Sequence, residues 1–160
     1  MTEAIRAPKT SHQLDLLQQL LRGELAPPGV GTLIGFAPTH FELGVSVFEL
    51  DTEPRHANPM GTLHGGILCD IADAAMGTAM ASTLEEDETF TTLSLNANFF
   101  KPVWRAHLRA TGRVTKRTRS LGMIECDVED ESGSLVAKVF STCMVLRGDS
   151  AKGREVGRGR

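Results

Sequence analysis

The chain reads Asn58-Pro-Met-Gly-Thr-Leu-His-Gly-Gly66 and then continues to Ser82 with almost only small and apolar residues. Apolar side chains recur in this second part at the spacing i, i+1, i+4 and i+5, which is the periodicity of an α-helix. These side chains are Ile67, Leu68, Ile71, Ala72, Ala75, Met76, Ala79 and Met80. Because they cover most of the circumference, we predict one long helix buried in the core of the protein.

Two aspartates, Asp70 and Asp73, interrupt the apolar helix, together with the small residues Gly66 and Gly77. Burying a carboxylate without a partner is costly, so an aspartate in the middle of a buried helix indicates a functional role. The residues His64-Gly-Gly66 expose backbone N–H groups at the positive end of the helix dipole, where a developing negative charge is stabilised. A buried acid and a helix start of this kind together predict a catalytic helix.

The composition is that of one globular domain without a nucleic-acid or membrane partner. The 160 residues are enough for one hydrophobic core, and 41% of them are hydrophobic. The net charge of -3 gives no basic surface for nucleic acid, and neither a signal peptide nor a run of 18 apolar residues is present. The cysteines, Cys69, Cys126 and Cys143, are widely spaced, which predicts free thiols in a cytoplasmic protein and no metal site.

A flexible arm and a short helix are predicted at the N-terminus. The arm comprises residues 1–9. Thr10 or Ser11 then caps an amphipathic helix, which Gly23 terminates. The apolar side of this helix is formed by Leu14, Leu17, Leu20 and Leu21. We expect these leucines to pack on the protein's own core or on another subunit.

A β-hairpin is predicted between this short helix and the core helix. Its strands are residues 32–37 and 42–50, and its turn is Pro38-Thr-His40. We expect His40 and His56 to be solvated, because both lie in predicted turns. The loop that follows the hairpin is expected to bring Asn58 to the start of the core helix.

Four antiparallel strands are predicted after the core helix. They are residues 90–100, 103–115, 119–129 and 134–146. In the first strand, one face carries Leu93, Leu95, Ala97 and Phe99, and the other carries Thr92, Ser94, Asn96 and Asn98. Residues 148–160 are rich in Gly, Lys and Arg, which predicts a disordered basic tail. The order of elements indicates an α+β domain over residues 10–147, with one helix packed on an antiparallel sheet.

The motif Asn58-x-x-Gly61-x-x-His64-Gly65-Gly66 is followed by Asp73 and by the strand Thr92-Leu-Ser-Leu-Asn96-x-x-Phe99-x-x-Pro102. This set resembles the hotdog-fold acyl-CoA thioesterases of the phenylacetate-degradation and 4-hydroxybenzoyl-CoA type. The resemblance extends over residues 32–146. It implies a hotdog fold, in which an antiparallel β-sheet wraps around one long central α-helix. It also implies hydrolysis of an aryl-CoA or a medium- or long-chain acyl-CoA to the free acid and coenzyme A.

The resemblance also directs attention to particular residues of the motif. Asp73 is the candidate general base or nucleophile, because partial desolvation raises a carboxyl pKa toward the range useful for taking a proton from water. Gly65 is the candidate oxyanion donor through its backbone N–H, which must come close to the substrate carbonyl. Asn58 is implied to offer an amide donor near the same carbonyl. His64 is implied to order the site.

Substrate-binding residues are implied on a strand and on a basic loop. Thr92 matches the hydroxyl that helps to hold the attacking water, with Thr91 as the alternative. Lys116, Arg117 and Arg119 form a compact basic loop, and arginine binds phosphate groups such as those of coenzyme A. No metal or cofactor is implied, because coenzyme A is part of the substrate.

The spacing within the core helix predicts a homo-oligomer. Gly65 and Asp73 are eight residues apart, which corresponds to about 12 Å along a helix. One chain therefore cannot easily place both groups on one carbonyl, whereas two antiparallel copies of the helix across a two-fold axis can. We expect a homodimer or a dimer of dimers, which is a homotetramer, with two shared sites in each dimer.

Other functions are compatible with parts of this pattern. A non-hydrolytic acyl-CoA-binding regulator would need no catalytic acid, and an adaptor or scaffold would leave Asp73 unexplained. The pattern associated with enoyl-CoA hydratases of hotdog type is Asp-x-Asn-Pro-x-His. In this sequence His56 stands at the position of the aspartate. The sequence leaves open which acyl group is bound and whether Asp73 acts as a base or as a nucleophile.

Overall fold

One antiparallel sheet packs on a central helix in residues 11–154, which are the residues that the computed structural model describes. The helices there are α1 (His12–Leu21), α2 (Gly29–Ile34) and α3 (Gly65–Ala81). The strands are β1 (Ala37–Glu42), β2 (Val45–Asp51), β3 (Glu88–Phe99), β4 (His107–Arg117), β5 (Leu121–Asp130) and β6 (Leu135–Arg147). Short 3-10 helices lie at Pro54–His56 and Gly148–Ala151. None of the helices in the described part of the chain is long and apolar enough to cross a membrane.

The sheet has the strand order β1-β2-β4-β5-β6-β3, and every neighbouring pair is antiparallel. All six strands contact α3, so the sheet wraps around one long helix. The predicted α+β hotdog architecture with a short N-terminal helix is therefore confirmed. Within residues 11–154, strand β3 forms one edge of the sheet, and its 12 residues pair on one side only, with β6.

Helix α3 is held on the sheet by the burial of one side and by a close approach of two backbones. Its residues without exposed surface are Ile71, Ala72, Ala75, Met76, Ala79 and Met80, as the apolar periodicity predicts. At Gly112 of β4, a Cβ atom would lie 2.6 Å from the carbonyl oxygen of Ala75, so the helix meets this strand where only glycine fits. From β2, the Ser46 hydroxyl donates a hydrogen bond of 2.5 Å to the same carbonyl oxygen.

Helix α1 begins where the sequence predicts and is attached to the end of α3. The Ser11 side chain caps it by accepting a hydrogen bond of 3.0 Å from the Leu14 N–H. The same hydroxyl donates to the carbonyl oxygen of Ser82 at 2.8 Å, which joins the start of α1 to the residue after α3. The predicted flexible arm, residues 1–9, lies outside the described residues.

The predicted hairpin before α3 is wrong in its first strand and in its turn. Residues Gly29–Ile34 are the helix α2, which ends at Gly35 in the left-handed conformation with a φ of 103°. The hairpin consists of β1 and β2, and its turn contains Gly44 with a φ of 75°. A glycine after the last helical residue is a common helix stop signal, and here it outweighs the strand-like composition of a short stretch.

The four predicted strands after α3 are confirmed, with ends displaced by at most four residues. The prediction of a disordered tail from residue 148 is wrong for its first part, because Gly148–Ala151 is a 3-10 helix. The Thr89 hydroxyl also donates a hydrogen bond of 2.8 Å to the carbonyl oxygen of Arg154. A segment rich in Gly and Arg gives no indication that it contacts β3, so this contact could not be predicted from the composition. Residues 155–160 lie outside the described residues.

Candidate active site

The loop before α3 is closed by hydrogen bonds of Asn58. Its side-chain oxygen accepts from the Met60 N–H at 2.9 Å, and its side-chain nitrogen donates to the Thr62 hydroxyl at 2.8 Å. The loop also turns through Gly61, which has a φ of 83°. Asn58 and Gly65 line the same cavity of about 360 Å³. The structure therefore brings together the two groups expected to bind a substrate carbonyl.

The start of α3 leaves the Gly65 N–H available for a ligand. His64 is the N-cap, and its Nδ1 accepts a hydrogen bond of 2.9 Å from the Gly66 N–H. Gly65 is the first residue of the helix, so its own N–H has no acceptor within the helix. A Cβ atom at Gly65 would lie 3.1 Å from Cζ of Phe99, which leaves little room for a side chain there.

His56 supports the start of α3, although its place in a predicted turn suggests a solvated histidine. It is 4% exposed, so the expectation of a solvated histidine is wrong. Its Nδ1 accepts from the Glu53 N–H at 3.0 Å, and its Nε2 donates to the carbonyl oxygen of Ile34 at 2.8 Å. Its own carbonyl oxygen accepts from the His64 N–H at 2.8 Å. His56 thus holds the end of α2 and the start of α3 together, and its partner Ile34 is 22 residues earlier, so no local pattern indicates this contact.

Asp73 lies on the side of α3 that the sheet does not cover. Gly66, Asp70, Asp73 and Gly77 follow each other at helical spacing along this side, and both aspartates are exposed. The prediction of a buried carboxylate is therefore wrong for the single chain, because the sheet covers only the opposite side. Desolvation by the surrounding protein nevertheless raises the pKa of Asp73, and the negative charge of Asp70 raises it further.

Thr92 reaches Asp73 because of an irregularity in β3. Thr92 pairs with Cys143 of β6, but Ser94 pairs with Thr142, so the register shifts at Leu93. Such a bulge reverses the alternation of side chains. Thr92 and Ser94 therefore lie on opposite faces of the sheet, whereas an unbroken alternation predicts that they share one face. The Thr92 side chain lies near enough to Asp73 to oppose the increase in the pKa of Asp73.

Within the described residues of one chain, the predicted catalytic residues Asn58, Gly65 and Asp73 line two separate cavities. Asn58 and Gly65 line the cavity of about 360 Å³ at the start of α3. Asp73 lines a different cavity, of about 290 Å³, between α3 and the N-terminal helices. Gly65 and Asp73 are eight positions apart, which corresponds to about 12 Å of helix. This separation is much larger than the roughly 3 Å that a carbonyl can bridge between its oxyanion donor and an attacking group.

Of the residues predicted to form a basic loop, Lys116 and Arg117 are the last two residues of β4 and only Arg119 lies in the connection to β5, beyond the other end of α3. Arg117 and Arg119 line a wide cavity together with Thr83, which follows the helix. Arg117 is engaged within the domain, because its guanidinium binds Oε2 of Glu88 at 2.6 Å. Arg147 contacts the other oxygen of the same carboxylate. Arg117 therefore has a structural partner, which the sequence did not indicate.

The antiparallel sheet, the single central helix and the His-Gly-Gly helix start define the class of this protein as a hotdog domain. A model of the thioesterase superfamily matches residues 60–137, from the loop before α3 to the first residues of β6. A 1,4-dihydroxy-2-naphthoyl-CoA hydrolase of Listeria monocytogenes is 27% identical over 117 residues, which cover 73% of this chain and 94% of that protein.

Solved structures of related proteins have the same fold. A phenylacetic acid degradation-related protein from Ralstonia eutropha is 28% identical, with a TM-score of 0.72 over 79% of this chain and 97% of that one. The PaaI protein of the phenylacetic acid degradation operon of E. coli is 18% identical, with a TM-score of 0.76 over 88% of this chain and 98% of that one. These matches support a thioester hydrolase with the hotdog fold, and the chain is similar to the thioesterases of the phenylacetate-degradation type.

Proposed function

We propose that the protein hydrolyses an acyl-CoA thioester to the free acid and coenzyme A, in sites shared between two copies of the chain. The observation that carries this proposal is the separation of Gly65 from Asp73 into two cavities of one chain. The Listeria relative, whose name is that of an acyl-CoA hydrolase, supports the substrate class. The binding regulator, the hydratase and the scaffold have no comparable support.

In the proposed reaction, the thioester carbonyl lies at the start of α3. Its oxygen accepts hydrogen bonds from the Gly65 N–H and from the second N–H of the Asn58 amide, since only one of the two is used by Thr62. These donors stabilise the negative charge that develops on the oxygen when the carbonyl is attacked. His64 contributes by capping the helix and so fixing the direction of the Gly65 N–H.

Asp73 and Thr92 act on the other reactant. Thr92 holds a water molecule, and Asp73 takes a proton from it as its oxygen attacks the carbonyl carbon. The tetrahedral intermediate then collapses, the bond from carbon to sulfur breaks, and the proton passes to the leaving thiolate of coenzyme A. The raised pKa of Asp73 makes it a stronger base than an ordinary aspartate. In the alternative route, the Asp73 carboxylate attacks directly and water hydrolyses the resulting mixed anhydride.

Two features of the single chain support the pairing of two copies. The uncovered side of α3 carries Gly66, which has no side chain to hinder the approach of a second helix. The free edge of β3 offers unpaired backbone groups to another strand. Antiparallel pairing across a two-fold axis would set residue 65 of one subunit opposite residue 73 of the other. We propose a homodimer, or a dimer of dimers, on this basis.

The remaining proposals concern the binding of coenzyme A, the need for a cofactor and the location of the protein in the cell. Lys116 and Arg119 are proposed to bind its phosphates, whereas Arg117 is engaged by Glu88. The reaction needs no cofactor, because coenzyme A is part of the substrate. Cys69, Cys126 and Cys143 are free thiols, as is usual in a reducing compartment, and we propose a cytoplasmic location.

The proposed function is tested by measuring thiol release from a panel of aryl-, medium-chain and long-chain acyl-CoAs. We expect turnover of at least one member, and no turnover when the same acyl group is carried as an oxygen ester of a simple alcohol. An enoyl-CoA in the panel detects hydratase activity by loss of the conjugated double bond. Binding of acyl-CoAs without any release of thiol would contradict the proposal and favour a binding regulator.

A second test addresses the shared site by mixing two inactive subunits. Asp73→Ala and Asn58→Ala are each expected to be nearly inactive as homodimers, because every site then lacks one group. A mixed dimer has one site with both groups intact, so about half of the wild-type activity per dimer is expected to return. Dimers that combine two differently tagged Asp73→Ala subunits serve as the control and remain inactive. An active monomer, or purified mixed dimers as inactive as their parents, would exclude the shared site.

A further inference from the structure

The second cavity, of about 290 Å³, lies between the N-terminal helices and α3. Helix α1 contributes Leu17 and Leu20 to its wall, and the region of α2 contributes Val30 and Phe36. We call this space the α1–α3 cavity. The N-terminal part of its wall precedes the region 60–137 that matches the superfamily model. The cavity is thus built largely by a part of the chain that the family match does not include.

The α1–α3 cavity extends to the proposed catalytic residue, Asp73. Asp73 lines it, and so does Gly77, one helical turn further along the same side of α3. Phe90 of β3 faces Gly77, since a Cβ atom on that glycine would lie 3.5 Å from Cζ of Phe90. An acyl group whose carbonyl carbon is attacked next to Asp73 therefore has an apolar space directly beside it.

We propose that the α1–α3 cavity binds the acyl chain of the substrate and that α1 and α2 select an uncharged acyl group of up to about twelve carbons. This inference rests on the proposed function, because it takes the reacting carbonyl to lie beside Asp73. Each CH₂ group buried in such a space improves binding about fourfold. Residues 12–34 are then part of the substrate-binding site and not only packing around the core.

The size of the cavity sets the upper limit of chain length. An apolar cavity of about 150 Å³ is large enough to hold benzene, which has six carbons. The α1–α3 cavity has a volume of about 290 Å³, which is nearly twice as large. A substituted aromatic ring or an alkyl chain of about ten to twelve carbons fills this space, and the remainder of a longer chain would stay in water.

The chemistry of the lining selects against charged acyl groups. Among the described residues that line the cavity, Asp73 is the only charged one, and none is a lysine, an arginine or a histidine. A terminal carboxylate on the acyl chain would lose its water without gaining a cationic partner. We therefore expect acyl groups derived from dicarboxylic acids to be poor substrates compared with simple acyl groups of the same length.

The inference is tested by kcat/KM for straight-chain acyl-CoAs from C2 to C16 with the full chain and its variants. In the wild type, kcat/KM should rise up to about C10–C12 and then stay level. Gly77→Leu should lower kcat/KM at C10–C12 at least about tenfold and change it less than about threefold at C2–C4, since the new side chain fills the space beside Phe90. Leucine favours a helix over glycine, so the fold is expected to be retained.

Two substitutions that shorten side chains on α2 provide a matched pair of test and control. Val30 is 49% exposed but lines the cavity, so Val30→Ala widens it and should move the optimum to longer chains. Leu33→Ala removes a similar side chain from the same helix, but Leu33 is 73% exposed and does not line the cavity, so the chain-length profile should not change. Equal turnover of a simple acyl-CoA and its dicarboxylic counterpart, both about ten carbons long, would contradict the charge argument.

The outcomes separate this inference from the proposed function. The acyl-binding role is overturned if Gly77→Leu has a normal melting temperature and the same chain-length profile as the wild type. In that case the proposed hydrolysis still stands. A response of Leu33→Ala equal to that of Val30→Ala also overturns the acyl-binding role. Absence of thiol release from every acyl-CoA overturns both.

Discussion

Asp73→Asn is expected to lower kcat for acyl-CoA hydrolysis by at least about 100-fold while acyl-CoA binding is retained. Asparagine has almost the same shape, but it cannot take a proton from water or attack the carbonyl. The loss should therefore appear in the rate constant of the chemical step, measured under single-turnover conditions. The dissociation constant of the acyl-CoA should change by less than a few-fold. A coenzyme A ligand that is not hydrolysed, titrated by calorimetry, gives that constant directly.

Asp70→Asn is the matched control for this prediction, because Asp70 lies on the same side of the same helix. Its kcat at neutral pH should stay within a few-fold of the wild type. The wild type should lose activity as the pH falls through the raised pKa of Asp73, because the protonated acid is not a base. Removing the charge of Asp70 lowers the pKa of Asp73 and moves that loss to lower pH. Normal turnover by Asp73→Asn, with an inactive Asp70→Asn, would mean that the other aspartate is the catalytic one.

Glu88→Ala is expected to lower the free energy of unfolding by about 3–5 kcal/mol. The Glu88 side chain is 4% exposed and binds the guanidinium groups of Arg117 and Arg147. Its removal leaves two arginine side chains partly buried without their common partner. The measurement is urea unfolding followed by circular dichroism, with Glu86→Ala as the control, since Glu86 is an exposed acid in the loop before β3. A loss below about 1 kcal/mol in Glu88→Ala would show that the ion cluster contributes little.

The same cluster predicts how stability depends on pH. Burial raises the pKa of Glu88, but hydrogen bonds and the two arginines outweigh burial, so the net pKa lies below its ordinary value of 4.5. The stabilisation is therefore fully present above pH 4.5 and is lost as the pH falls through the lower pKa of the folded state. In Glu88→Gln this part of the acid-induced loss should be absent. The difference is measured by unfolding both proteins between pH 3 and pH 7.

The sequence predicts best the elements whose pattern is long and local. The periodicity of α3 covers 17 residues, and the side it marks as apolar is the side that the sheet buries. The strands after it are long enough for alternation to identify them. Helix α2 has six residues, too few for a period to be distinguished from a strand, and only Gly35 marks its end.

The parts of the site that escaped prediction depend on contacts between distant segments. The face on which Thr92 lies is decided by a bulge at Leu93, and nothing in an alternating strand reveals that position. Burial of His56 depends on the carbonyl oxygen of Ile34, 22 residues earlier. Arg117 looks like a free cation in the sequence because its partner Glu88 is 29 residues away. The roles of Asp73, Gly65 and Asn58 remain predictions until the variants are measured.

The free edge of β3 has a consequence for how this protein behaves when assembly fails. Natural sheets protect their edges with charged residues, prolines or short strands, because an unprotected edge adds strands from other molecules and aggregates. β3 has 12 residues, no proline, and no charged residue after Glu88, and Leu93 is 55% exposed. A variant that weakens the pairing of subunits should therefore be lost from solution as aggregate rather than accumulate as a monomer. Low yield in such a variant would be a result of the exposed edge, even where its core is intact.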